Sequence, residues 1–419
     1  MGRNLAEKLL QEYSSQDIEQ PGQIVPCRIS LVLANDITAP LAIDSLQQMG
    51  AKKVFDPDRI ALICDHFTPN KDVASAEQVR KVRLFAREMG IRHYYEGGEV
   101  GVEHALLPEL GLVGPWDVVV GADSHTCTYG GLGSFATGMG STDIAAAMAL
   151  GETWFKVPES INVHLTGELD RYTTAKDLIL SLIGRIKVDG ALYQALEFSG
   201  PVLRELDVEA RMTMANMAIE AGGKAGLFPA DDITLDYCRR HNREDARAVT
   251  PDPDATYSRS IEIHVTDMPP QIACPHLPDN VLGVDELGEI PVDQVVLGSC
   301  TNGRISDLRQ AAEIIKDHQV DRNVRFIVLP ATPKVYSQAL EEGLLETFLK
   351  AGAIIGPPTC GPCLGGHMGI LAAGERCLAT TNRNFKGRMG SLESEVYLGS
   401  PYVAAATAVA GRIIHPAKV

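Results

Sequence analysis

A chain of 419 residues, 45% hydrophobic and only 5% aromatic, is long enough for several α/β units and needs no disulfides to bury a core. Its 38 basic and 54 acidic residues leave a formal net charge of −16, which argues against a general nucleic-acid binder, because that function needs a basic face to displace counterions. Nine scattered cysteines, an odd number, do not resemble a secreted disulfide framework. The start, MGRNLAEKLLQEYSSQ, has no apolar leader core, and position 6 is Ala6 where a myristoylation signal has Ser or Thr. No apolar run approaches the ~18 residues of a membrane span. The expected address is cytoplasmic, with neither membrane nor nucleic acid as partner.

In chain order, the first predicted strand, RISLVLAND (28–36), ends on Asp36, and the second, RIALICDH (59–66), ends on Asp65 and His66. A helix is predicted over ASAEQVRKVRLFAREMG (74–90), with Ser75 and Gln78 as a capping box and Gly90 as its stop. WDVVVGADSHT (116–126) runs into Asp123, Ser124 and His125. The G-x-G-x-x-A at 131–136 starts about ten residues after that strand, too late for a dinucleotide loop, and is read as close backbone packing. A soft break falls near Lys156–Ser160, and the Pro-rich TDMPPQIACPHLPDN (266–280) reads as a linker. Beyond it lie strands VDQVVLGSCTNG (292–303), VRFIVLPAT (324–332) and RCLATTNRN (376–384). One helix is predicted over PKVYSQALEEGLLETFLKAG, from Pro333 to Gly352. Strands alternating with helices give an α/β fold with mainly parallel sheets. The residues able to do chemistry follow the strands, where open α/β sheets bind ligands, and this predicts one shared cleft.

TCGPCLGG (359–366) carries a C-x-x-C pair, Cys360 and Cys363, and GSCTNGR (298–304) carries Cys300. Three readings stand on spacing alone. A zinc set would add His367 to the three cysteines. A redox dithiol would place the pair at a helix start near an N-terminal βαβ unit, whereas this pair sits late and is crowded by Pro357, Pro358 and Pro362. An iron–sulfur cluster wants thiolates on glycine-rich loops whose N–H groups reach its sulfides, and both segments meet that need. Cys64, Cys127, Cys238, Cys274 and Cys377 read as core or near-surface residues. His164, His241, His264 and His318 read as structural histidines.

NDITAP (35–40), CDHFTPN (64–70), GADSHTCTYGGLGSFATGMGSTD (121–143), NMAIEAG (216–222), GSCTNGR, TCGPCLGG and TNRNFKGR (381–388) occur in the order found in the aconitase superfamily of iron–sulfur hydro-lyases. The chain resembles its shorter, two-subunit isopropylmalate dehydratase and homoaconitase group nearly end to end. The resemblance implies three α/β units, 1–158, 159–268 and 269–419, around a shared iron–sulfur cleft, without the swivelling fourth domain. It implies one 4Fe-4S cluster per chain on Cys300, Cys360 and Cys363, with one iron lacking a protein ligand. Asp65 with His66, His104 with Asp123, and His125 with Glu220 become acid–base pairs, His66 protonating the leaving hydroxyl. Ser124, Asn216, Asp36, Asn382, Arg383 and Arg388 become substrate or supporting contacts, the two arginines offering forks for carboxylates. Arg304 is left open between a further substrate-facing guanidinium and a simple partner for a nearby acid. The implied reaction interconverts 2-isopropylmalate and 3-isopropylmalate by dehydration and rehydration, in leucine biosynthesis; homoaconitate or another substituted malate is the alternative substrate. A separate small, swivel-domain subunit would supply the base and further substrate contacts. Some relatives lose the cluster and bind RNA, a reading that the net charge of −16 opposes.

Overall fold

The computed structural model describes residues 2–419, which divide into two compact units. The first comprises residues 2–97, 106–166 and 191–263; the second comprises 98–105, 167–190 and 264–419.

In the first unit, five strands form an all-parallel sheet in the spatial order His93–Tyr95, Ile60–Ile63, Leu31–Asn35, Val118–Gly121, Phe135–Gly138. The three inner strands are buried at every residue, as continuous apolar runs such as VVV require when both faces are covered. The chain starts in the middle, winds outward to one side, and then returns to build the other. Leu31–Asn35 and Val118–Gly121 therefore flank the point where the winding reverses, and Asp36 and Asp123 leave the sheet at the carboxyl ends of those strands. A second sheet has the order Ala225–Leu227, Ala195–Ser199, Ser160–Thr166, Arg259–His264.

The second unit repeats the device with a seven-stranded sheet: Val281–Gly283, Gln271–Ala273, Glu395–Leu398, Arg376–Ala379, Gln294–Leu297, Arg325–Val328, Ile354–Ile355. The last five strands are parallel, and the first two are joined antiparallel. Its reversal lies between Gln294–Leu297 and Arg376–Ala379. Cys300 and Asn382 each leave the sheet three residues beyond those strands.

Several sequence expectations shift. Three units are expected, but packing groups the first two sheets in one, because the tight coil Ser124–Leu132 lies against the helix Val208–Asn216. Gly131 has no room for a Cβ, which would fall 2.6 Å from the Met212 nitrogen; that is the close packing read from the glycine run. The first long helix runs Val73–Met89, and its cap is Asp72 with Ser75 at the third position, not Ser75 with Gln78; Gly90 ends it at φ 69°. The helix expected from Pro333 to Gly352 breaks into Pro333–Glu341 and Leu344–Lys350, because Gly343 turns left-handed at φ 73°. The supposed linker at 266–280 contributes the strand Gln271–Ala273 to the seven-stranded sheet. No described helix is long and apolar enough to cross a membrane.

Candidate active site

The candidate side chains fall into two sets, one in each unit. In the first unit Asp36 is fully buried and accepts from the backbone N–H of His66 at 3.1 Å and of Phe67 at 2.9 Å. Through these bonds it holds the loop that follows Ile60–Ile63. On that loop Asp65 Oδ1 lies 2.7 Å from His66 Nδ1, with Asp65 buried and His66 nearly so. A carboxylate on Nδ1 fixes that nitrogen as the protonated one and leaves Nε2 for other partners.

The coil after Val118–Gly121 is set by Asp123, whose carboxylate accepts from the His125 N–H at 2.7 Å and whose carbonyl accepts from Thr126 Oγ1 at 2.6 Å. His125 is wedged between two acids: Nε2 is 2.8 Å from Glu220 Oε1 and Nδ1 is 3.4 Å from Asp123 Oδ1. A protonated ring has a donor for each. Glu220 sits on the short turn Met217–Ala221 that follows the helix Val208–Asn216. Asn216, buried, donates to Thr128 Oγ1 at 2.8 Å, and Thr128 donates to the His125 carbonyl at 2.6 Å. It therefore supports His125 through one intermediary. Ser124 lines a cavity of about 470 Å³ together with Thr137, Asp143, Trp154, Tyr193 and Lys224.

In the second unit Cys300, Cys360 and Cys363 are all buried. Asn382, fully buried, donates to Cys300 Sγ at 3.3 Å, and its Oδ1 lies 3.8 Å from Cys363 Sγ. One amide thus spans a thiol from each cysteine loop. Arg388 reaches Cys363 Sγ at 3.9 Å, and Cys360 packs with Cys300 and Val102. Both loops wrap the Leu329 side chain at the end of Arg325–Val328. A Cβ on Gly298 would fall 2.7 Å from Leu329 Cβ, and a Cβ on Gly356 or Gly361 would collide with its methyl groups. Gly298 and Gly361 also have φ of 146° and 56°. Only glycine allows these approaches.

These observations bear on the metal readings. Soft thiolates on loops stripped of Cβ atoms, with amide and guanidinium N–H groups aimed at sulfur, fit an iron–sulfur cluster in their donor set. His367 is buried in the same unit.

Arg304 does not pair with an acid through its guanidinium. It is buried and donates to the carbonyls of Thr301 (2.9 Å), Cys300 (3.1 Å) and His104 (3.3 Å), so it shapes the Cys300 loop. His104 and Asp123, expected as a pair, belong to different units; within its own unit His104 Nε2 lies 3.5 Å from Glu103 Oε1. Arg383 is half-buried. Sequence reasoning missed Glu103, Leu329 and Lys176. Nothing marks Leu329 in advance except the glycines that its bulk explains. Lys176 carries a faint signal, a Lys-Asp pair opening the apolar helix Ala175–Ile186.

Of the cysteines read as structural, Cys64, Cys127, Cys238 and Cys377 are buried and Cys274 is partly so. Burial pushes the Cys377 thiol up to about 12, so it stays protonated. His164 and His241 have structural partners in Ser199 and the Tyr237 carbonyl.

The profile of the aconitase family (aconitate hydratase) matches residues 7–411. A protein described as the 3-isopropylmalate dehydratase large subunit of Nitratidesulfovibrio vulgaris is 67% identical over the whole of both chains. Its counterpart in Moorella thermoacetica is 58% identical, again over the whole of both. The 3-isopropylmalate dehydratase large subunit 1 of Pyrococcus abyssi is 58% identical across both full lengths. Among solved structures, aconitase X from Thermococcus kodakaraensis superposes with a TM-score of 0.52 at 13% identity, covering 92% of this chain and 91% of that one, which speaks to the fold alone.

Proposed function

Since the chain belongs to the aconitase family, a family that implies an iron–sulfur cluster, we propose that it is the large subunit of a 4Fe-4S hydro-lyase interconverting 2-isopropylmalate and 3-isopropylmalate in leucine biosynthesis. Its proposed address is the cytoplasm. Full-length relatives at 58–67% identity bear that description. The observation that carries the reading is Asn382, which contacts Cys300 and Cys363 at once and so ties the two cysteine loops to a common point.

Cys300, Cys360 and Cys363 would hold the cluster. When bound, the cluster supplies a Lewis acid at an iron without a protein ligand, which offsets the charge that develops as hydroxide leaves. The rest falls to the chain's own side chains. His66, its Nδ1–H held by Asp65, delivers the Nε2 proton of its imidazolium form to the departing hydroxyl and is left as the neutral Nδ1–H tautomer. Ser124 and His125, the latter held by Glu220 and Asp123, orient substrate and water. Arg383 and Arg388 grip carboxylates with planar guanidinium forks.

A small subunit supplies the base that removes the carbon-bound proton. The test is anaerobic assay of the cluster-loaded chain with and without that subunit, across a panel of 2-substituted malates. The proposal expects turnover only with the subunit present and the highest kcat/KM for isopropylmalate. A preference for another malate would move the substrate assignment; robust turnover by the chain alone would overturn the divided site.

A further inference from the structure

Lys176 lies on the second residue of the helix Ala175–Ile186, and no part of its side chain reaches solvent. Its ammonium donates to the carbonyls of Thr380 at 2.8 Å and Thr381 at 2.5 Å and to Asn302 Oδ1 at 3.4 Å. An ammonium has three N–H donors, and all three are engaged. The acceptors belong to the two segments that matter most in this unit. Thr380 and Thr381 immediately precede Asn382, which touches two cysteine sulfurs; Asn302 follows Cys300 by two residues. The far side of Asn302 is fixed by a bond to Asp307 at 2.8 Å.

None of these acceptors is a carboxylate. Two carbonyls and an amide oxygen satisfy the geometry of an ammonium but do not neutralise it, and a buried charge without a counter-charge is costly. A neutral side chain with N–H groups would make similar bonds at far less cost. The compensation must come from negative charge at longer range. Burial pushes the Lys176 pKa down to about 7, while Asp307, then the Cys300 sulfur, Asp177 and the Cys363 sulfur act to raise it. Two of those four are cysteines read here as cluster ligands, and a cluster with its thiolates carries more negative charge than the free thiols.

Resting on the cluster reading above, we propose that Lys176 is a positioning and potential-setting residue for the iron–sulfur centre. Its amine ties the Cys300 segment to the Asn382 segment and, when protonated, places a positive charge within electrostatic reach of the Cys300 and Cys363 sulfurs. Net charge and hydrogen bonding around the sulfurs are what set a cluster's reduction potential and its hold on iron.

The test compares wild type, Lys176→Gln and Lys176→Arg as full chains, reconstituted anaerobically with iron and sulfide and assembled with the small subunit. Three readouts are taken: iron and sulfide content, the reduction potential by electron paramagnetic resonance titration, and the rate of iron loss in air. Lys176→Gln, with donors but no charge, should shift the potential to a more negative value and lose iron about tenfold faster. Lys176→Arg should stay near wild type in potential. An unchanged potential in folded Lys176→Gln overturns the proposal. So does failure of both variants to fold, since Lys176 would then be a packing residue only. Unfolded Lys176→Gln beside folded Lys176→Arg with the wild-type potential supports it. Absence of iron and sulfide from the wild type would instead overturn the cluster reading itself.

Discussion

The Asp65 carboxylate sits 2.7 Å from His66 Nδ1 and is wholly shielded from water, so its contribution is to keep one tautomer and one ring orientation. Asp65→Asn preserves the shape but can present a donor where an acceptor is needed. Turnover of the assembled enzyme should fall by about 10²-fold or more, the range typical of misaligned acid–base catalysis, with iron content unchanged. Loss of iron alongside activity would place Asp65 in folding instead. Asn382 makes the opposite prediction. Asn382→Leu removes the N–H aimed at Cys300 Sγ and the oxygen beside Cys363 Sγ. Iron affinity should drop about 10- to 100-fold before any substrate is added, read by metal competition. At this scale the sequence displayed the candidate residues, because Asp-His and Asp-Ser-His after strands stand out. It hid their supports: Asp36 looks like a ligand in NDITAP, yet both of its oxygens hold backbone N–H groups of the next loop.

The loops that carry Cys300 and Cys360 take their form from one leucine. Gly356 lies in an ordinary backbone region, and a Cβ there would strike Leu329 Cδ2, with Met368 Sδ next at 3.3 Å. Gly356→Ala should therefore destabilise the chain by about 1–3 kcal/mol, as overpacking does. Leu329→Ala added to it should restore part of that loss, because it removes the obstructing methyl groups. A double-mutant cycle in urea checks this, and strict additivity would contradict it. The helix Ala175–Ile186 offers a pH test. Asp177, its third-position cap, accepts from Thr174 and from the Gln271 N–H at 2.7 Å, and burial pushes its pKa up to about 6 from the usual 3.8. The folded state therefore holds this proton more tightly than the unfolded chain. The resulting stability is full below pH ~4 and is lost as pH rises through about 6. Asp177→Asn should flatten that fall relative to wild type; an identical pH profile for both would contradict it. Strands were legible because continuous apolar runs ending in polar loops have few other uses. Helix limits were less so: nothing in LEEGLLE says that Gly343 turns left-handed, and a Pro-rich segment gave no sign that Gln271–Ala273 pairs with a distant strand.

In each unit the parallel strands reverse their winding at one point, and candidate residues leave the strands flanking that point. Asp123 and Asp36 do so in the first unit, Cys300 and Asn382 in the second. Strand order was not readable from the chain, because which strand pairs with which is decided by long-range packing; the resemblance of seven motifs carried that information instead. The net charge of −16 adds a further expectation. Substrate carboxylates approach a chain of like charge, so added salt should raise the association rate by screening, unless the arginines dominate locally. Stopped-flow binding from low to moderate ionic strength measures the sign, and a falling rate would assign steering to Arg383 and Arg388.

The central claim is a thiolate set that holds an iron–sulfur centre whose remaining iron is open to substrate. Mössbauer spectroscopy of the reconstituted chain with its small subunit, before and after adding 3-isopropylmalate, addresses it most directly. One iron site in four should change its spectrum on addition while the other three stay as they were. Four sites unaffected by substrate, or a chain that retains zinc and no iron, would contradict it.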